Sequence, residues 1–344
     1  MAKRKSRKKA PANPFRRIAR WIAWFVAALY TVLSLVGNWF VHHDATWLEE
    51  RKSSLPKFVF EPLMYLGDRC GALTDAWGWT GHDVVYSSDE PTPEGQVLFA
   101  GRPVRLGDPA PKDVFVIDYG DFIVGWSPSL GHAAWCAYHV PAEVRFEAGA
   151  RPSFAREKTV VGCPSPAVYT NTGYDRGHLV PNHAIVTRFG PDSQKKTFFM
   201  TNIAPQTPAL NQGPWRVIEH MITDFWTARW GEIWVLVGPV PSSSKYSREF
   251  LQGTSIEVPE AFWMVIVAQE GEDVRVLSVL IPQAVGRRDF PVHHLTTVDN
   301  IERLTGWDLL SELPDFLERP LEAELPTRLW PIRFFDVFSM FGIW

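Results

Sequence analysis

The chain opens with a basic tail, and then from Trp21 to Val41 there is no charged residue. As a helix, this run of 21 residues would cross roughly 30 Å of hydrocarbon. It is longer than the apolar core of a cleaved signal peptide, and His42-His43-Asp44 follow in place of a small-residue cleavage site. An uncleaved transmembrane anchor at residues 21–41 is expected, with Trp21, Trp24 and Trp39 as interfacial aromatics. Residues 42–105 read as a juxtamembrane segment of short helical patterns and breakers, with a linker-like stretch at 87–95.

Beyond it the pattern changes to strands. Phe122–Trp126 and Ala134–Val140 are β-rich runs separated by Ser127-Pro128-Ser129-Leu130-Gly131, which predicts a hairpin. Lys196–Met200 reads as a short strand leading into Thr201-Asn202-Ile203-Ala204-Pro205-Gln206. Trp215, Ile218, Met221, Ile222, Phe225 and Trp226 recur at helical spacing. Asn211 stands at a favoured capping position for that helix, and Pro214 is tolerated in a first turn. Ile233–Val237, Phe262–Val267 and Val274–Ile281 predict three more strands, and Thr297–Leu317 a helical stretch interrupted near Gly306 and Pro314. The aromatic segment Leu329–Trp344 fits either packing onto the domain or lying on a membrane surface. The fold class is α+β, a mostly antiparallel sheet flanked by helices, plus one N-terminal transmembrane helix.

Charge changes the picture in one respect. The net charge of −3 hides nine Lys or Arg within residues 1–20, which leaves 26 basic against 38 acidic residues in the remainder. The positive-inside rule keeps the basic tail in the cytoplasm and puts the body on the far side of the membrane. An acidic body counts against a nucleic-acid binder, although a local cationic groove is compatible with it. Cys70, Cys136 and Cys163 lack zinc-site spacing and allow one disulfide or three buried thiols. His42-His43 reads as a solvated loop at the membrane exit.

The segment that carries chemistry is Tyr174-Asp175-Arg176-Gly177-His178-Leu179-Val180-Pro181. It is followed by Asn202-Ile203-Ala204-Pro205-Gln206, then Leu210-Asn211-Gln212-Gly213-Pro214-Trp215, then Glu219. An imidazole such as His178 is mostly neutral at pH ~7 and can take a proton from water. Glu219 lies eight residues after Asn211, which on a regular helix lets both border one face. Arg176 keeps its charge and can clamp phosphate. Gly177 is expected at a tight turn, and Asp175 as a support for local geometry.

In this order the set resembles the DNA/RNA non-specific endonuclease family of ββα-metal (His-Me finger), endonuclease G-like nucleases. The resemblance runs from about Val114 to about Glu318. It implies a ββα-metal element embedded in the sheet, His178 as general base, Asn211 as the single direct ligand of Mg²⁺ (Mn²⁺ as a substitute), and Glu219 acting through metal-bound water. Arg176, and less securely Arg151, would contact substrate, and Asn202 would orient the site by hydrogen bonding near His178. His183 is expected to be structural, and His132, His139 and His220 have no assigned role.

The implied organisation is a basic cytoplasmic tail (1–20), the anchor (21–41), the juxtamembrane segment (42–105), the endonuclease domain (106–322) and an aromatic tail (323–344). The implied activity is Mg²⁺-dependent hydrolysis of DNA and RNA. The location is a single-pass inner membrane with the catalytic domain on the periplasmic side, or alternatively the mitochondrial inner membrane. The bilayer is a partner through residues 21–41, and homodimers occur in the family. The competing reading is a catalytically silent interaction protein on the same scaffold, which predicts loss of the base or the metal ligand.

Overall fold

The computed structural model describes residues 84–85, 97–242, 249–270 and 273–331. These lie in one compact unit, His82–Trp344. The expected anchor, the basic tail, Cys70 and the end of the aromatic tail lie outside the described residues. Among those described, no helix is long and apolar enough to cross a membrane.

The strands are β1 (Val84–Val85), β2 (Val104–Arg105), β3 (Phe115–Asp118), β4 (Phe122–Ser127), β5 (His132–Val140), β6 (Asp175–His178), β7 (Ile203–Gln206), β8 (Ile233–Val240), β9 (Ala261–Glu270), β10 (Asp273–Pro282) and β11 (Trp307–Asp308). The helices are α1 (Asn182–Phe189), α2 (Pro191–Thr197), a long composite helix α3 over residues 208–230, α4 (Val298–Thr305) and α5 (Asp315–Ala323). Seven strands form one antiparallel sheet in the order β1-β10-β9-β8-β5-β4-β3. Strands β6 and β7 make a separate two-stranded ribbon, as do β2 and β11.

Strand register sorts the apolar side chains onto two faces. The cross-strand row Val124, Cys136, Val237, Met264 and Val279 belongs to one core. The adjacent row Ile123, Ala137, Leu236 and Val265 belongs to the other. The first core is covered by Ala184 and Ile185 of α1, by Ile218, Met221, Ile222 and Trp226 of α3, and by the β6–β7 ribbon. The second is covered by Val298 and Ile301 of α4, Leu321 of α5, and Val97 and Leu98. Central strands buried on both faces explain why they read as continuous apolar runs.

Several expectations hold in outline. The hairpin is β4–β5, the three later strands are β8, β9 and β10, and Gly306 ends α4 in a left-handed conformation (φ 74°). Leu329 and Trp330 pack on the first core, with the Trp226 indole N–H donating to the Trp330 carbonyl at 3.1 Å. Val97 and Leu98 also belong to the compact unit.

Others need correcting. Lys196–Met200 is not a strand; it spans the end of α2 and the start of a 3₁₀ turn (Met200–Asn202), and the strand is β7. Phe198 and Met200 are apolar because they are buried, and a short apolar run does not reveal its period. Asn211 is not the helix cap. Thr207 caps α3, its hydroxyl accepting from the Leu210 N–H at 3.3 Å. Nor is α3 uniform: Asn211–Trp215 and Met221–Trp226 are π-helical turns. Pro214 lies inside the first of these, beyond the first turn, where Gly213 leaves helical geometry (φ −107°, ψ −120°).

Gly125 of β4 faces Trp135 across the ladder, and a methyl group there would overlap the indole. Trp135 is buried and has no room to retreat. Gly125→Ala is expected to cost about 1–3 kcal/mol in urea unfolding. The added Trp135→Phe change should recover part of that loss, whereas simple additivity of the two would refute the steric account.

Candidate active site

His178 ends strand β6, where it pairs with Ile203 of β7. Its ring is enclosed by Phe154 (centroids 5.4 Å apart) and, edge-on, by Phe198 (4.9 Å). Nε2 is buried without a hydrogen-bond partner. Burial pushes the imidazole down to about 3, with the positive charge of Arg151 acting in the same direction. A histidine in this setting is neutral across the physiological range and holds a free lone pair.

Two polar links tie the ribbon to α3. The Asp175 carboxylate accepts from Asn211 Nδ2 at 2.8 Å and from Gln212 Nε2 at 2.9 Å. A carboxylate only accepts, so the Asn211 amide is fixed with its nitrogen towards Asp175 and its Oδ1 turned away. The Trp215 indole N–H donates to the His178 carbonyl at 3.3 Å, and the same indole lies in hydrogen-bonding contact with Glu219. Gly213 allows this geometry because the chain passes the Arg287 carbonyl, which a Cβ would meet at 2.6 Å.

Glu219 is only partly exposed, and the carboxyl itself is enclosed by protein. Burial pushes it up to about 8 despite the contact with Trp215 and the charges of Arg151 and Arg216. The regular-helix argument relating it to Asn211 does not survive the intervening π turn. Its place in the site is set by Trp215 and by Arg151, whose charge reaches both Glu219 and His178.

Arg151 is exposed, with its guanidinium 5.5 Å from the Phe198 ring centre. Arg176 is half-buried. Its Nε and Nη2 donate to the Pro166 carbonyl at 3.0 and 2.7 Å, and Nη2 also reaches Thr170 Oγ1 at 3.3 Å. That anchorage uses Nε and Nη2. Asn202 is fully buried: Oδ1 accepts from the Val180 N–H at 2.9 Å, and Nδ2 donates to the Val180 and Thr197 carbonyls, both at 3.0 Å. It is therefore a positioning residue that fixes the chain leaving His178, not a group that touches substrate. Gly177 is needed because Gln206 packs on its α-carbon, not for a turn.

His183 and His220 flank Asp224; His183 Nε2 lies 3.2 Å from Oδ1, and His220 pairs with Oδ2. Burial alone would raise this carboxyl, but the two imidazoles more than offset it and hold it well below the carboxylate range. His132 is buried, and His139 stacks on Trp234. Cys136 and Cys163 are buried free thiols. The sequence marked Trp215 only as a helix-face and motif residue and gave Phe154 and Phe198 no role at the site, since an aromatic at an apolar position looks like any core residue.

The model of the DNA/RNA non-specific endonuclease family matches residues 102–316. The chain is 27% identical over 225 residues to a nuclease of Nostoc sp., covering 62% of this chain and 79% of that protein. It is 29% identical over 164 residues to mitochondrial endonuclease G of Bos taurus, covering 44% of this chain and 52% of that one, about half its length. For mitochondrial endonuclease G of Homo sapiens the figures are 25% over 213 residues, 58% and 69%. The crystal structure of the EndoG/EndoGI complex shares the fold, with a TM-score of 0.57 at 19% identity, covering 67% of this chain and 96% of that one.

The state of His178 has a consequence for stability. The unfolded imidazole takes a proton near pH ~6.5, whereas the folded one resists until about 3. The folded state thus binds fewer protons, and its stability falls as pH drops through that window, with a slope of at most about 1.4 kcal/mol per pH unit from this group. His178→Gln should flatten the fall in urea midpoint between pH 6.5 and 4. Parallel profiles for the two proteins would count against the buried neutral ring.

Proposed function

The chain belongs to the DNA/RNA non-specific endonuclease family, and on that premise we propose that it is a membrane-anchored, Mg²⁺-dependent enzyme whose base is His178. The observation that carries this reading is the Asn211 amide fixed by Asp175 at one end of the strand whose other end carries a buried, neutral imidazole. The residues fit a divalent cation. Asn211 Oδ1 is aimed away from Asp175, and Glu219 is a carboxyl whose burial raises it in the absence of a nearby counter-charge strong enough to hold it down. Asn211 would hold Mg²⁺ directly and Glu219 through water, consistent with an ion that keeps most of its hydration shell. When bound, the ion supplies positive charge to the non-bridging and leaving oxygens of the phosphodiester.

The chain's own residues do the rest. His178 accepts the proton of the attacking water, and its low proton affinity keeps it available as a base at neutral pH. Trp215 and Asn202 hold the strand end that carries it. Arg151 and Arg176 would meet the phosphate with charge that cannot be titrated away. All of these contacts address phosphate and none addresses a base edge, so DNA and RNA both qualify as substrates. The silent-scaffold alternative predicts loss of the base or the metal ligand, and both are retained.

Purified full chain in detergent is expected to cleave plasmid DNA and RNA with Mg²⁺ and neither with chelator. His178→Ala should lower the rate on the order of 10²–10⁴-fold, and Asn211→Ala should abolish the response to metal. Absence of metal-dependent cleavage of either polymer overturns the proposal.

The anchor at residues 21–41 and the nine basic residues before it support a cytoplasmic tail with the enzyme on the opposite, periplasmic side of an inner membrane. The mitochondrial inner membrane is the alternative location. A reporter active only in the periplasm, fused after residue 45 in a bacterial host, should give signal; activity only from a cytoplasmic reporter would invert the topology.

A further inference from the structure

The second core, on the sheet face away from His178, carries a concentration of carboxylates. Helix α4 contributes Asp299 and Glu302, β11 contributes Asp308, and α5 contributes Glu318 and Glu322. One oxygen each from Asp299, Glu302 and Glu322 lie within 4.8 Å of one another, and so do one each from Asp308, Glu318 and Glu322. Glu322 is common to both sets. It is 7% exposed, and its Oε1 has no hydrogen-bond partner.

A buried carboxylate oxygen without a donor is costly, and the side-chain hydrogen bond that Glu322 makes on α4 is to another acid, Glu302. Arg303 of α4 donates to Asn300 Oδ1 at 2.7 Å, and Arg319 of α5 donates to Asp315 at 2.7 Å. Glu302 is engaged through Oε1, which accepts from the Leu309 N–H at 2.7 Å. Every charge acting on Glu322 belongs to another carboxylate: Glu302, Glu318 and Asp299. Burial and these like charges push Glu322 up to about 9.

We propose that this cluster is a binding site for a hard divalent cation of the Ca²⁺ class, centred on Glu322 and separate from the Asn211 site. Ca²⁺ takes about 6–8 oxygen ligands in flexible geometry, whereas Mg²⁺ is usually held by only one or two carboxylates. Five carboxylates from three elements match the former. A cation here joins α5 to α4 and β11, and so fastens the C-terminal helix to the second core, which Ile301, Trp307 and Leu321 build. Its role is structural, and it leaves the chemistry at His178 untouched.

The test uses full chain carrying Asn211→Ala, so that the catalytic donor does not contribute. Titration calorimetry with CaCl₂ should detect one bound Ca²⁺, and thermal unfolding should occur at higher temperature with Ca²⁺ than with chelator. Adding Glu322→Gln should weaken Ca²⁺ binding on the order of tenfold or more and remove the thermal shift, since ligand charge sets affinity in such sites. Glu318→Gln, at a half-exposed position, should weaken binding in the same direction. It decides the matter if the buried substitution fails to fold. On the otherwise unaltered chain, Glu318→Gln should leave plasmid cleavage at the parent level. No Ca²⁺ binding to the Asn211→Ala protein, unchanged binding after the Glu318 and Glu322 substitutions, or equally tight binding of Mg²⁺ would each overturn the proposal.

Discussion

A ribbon of four residue pairs cannot keep its alignment alone, and the site depends on how β6 and β7 are fastened to α3. Asp175 accepts from Asn211 and Gln212 at one end of β6, and Trp215 donates to the His178 carbonyl at the other. These links cross from strand to helix, so His178 and Asn211 are fastened into one unit. Asn202 completes the fastening by pairing with Val180, two residues beyond His178. Every polar atom that Asn202 offers is used by backbone, which is how a fully buried amide becomes affordable in a core.

The electrostatics of the site follow from the same packing. Phe154 and Phe198 enclose the imidazole, and the loss of water, more than any neighbouring charge, lowers its proton affinity. The same loss of water raises Glu219. One environment thus pushes a base and an acid in opposite directions on the pH scale, both towards neutrality. Arg151 acts on the two together, and Arg176 is held by Pro166 and Thr170. A net-acidic body is compatible with a local concentration of positive charge here, because electrostatic potential depends on where the charges sit.

The two faces of the sheet divide the labour. Register alternation gives each of β4, β5, β8 and β9 one set of side chains for the catalytic layer and another for the layer of α4 and α5. The elements that carry His178, Asn211 and Glu219 cover the first. The second collects acidic groups around Glu322, and the charges that act on Glu322 are those of other carboxylates.

The sequence by itself determined the strand and helix inventory in outline, because apolar periodicity is a local property. It also determined the family, because His178, Asn202, Asn211 and Glu219 keep their order and spacing. It misread Lys196–Met200, where burial of Phe198 and Met200 mimics a strand, and it made Asn211 a cap when Thr207 holds that place. Only the tertiary structure decided that Asp175 turns the Asn211 oxygen outward, that Trp215 bridges His178 and Glu219, and that Asn202 positions without touching substrate. Each of those facts joins residues far apart in the chain through a hydrogen bond whose direction depends on packing, and no spacing rule carries that information.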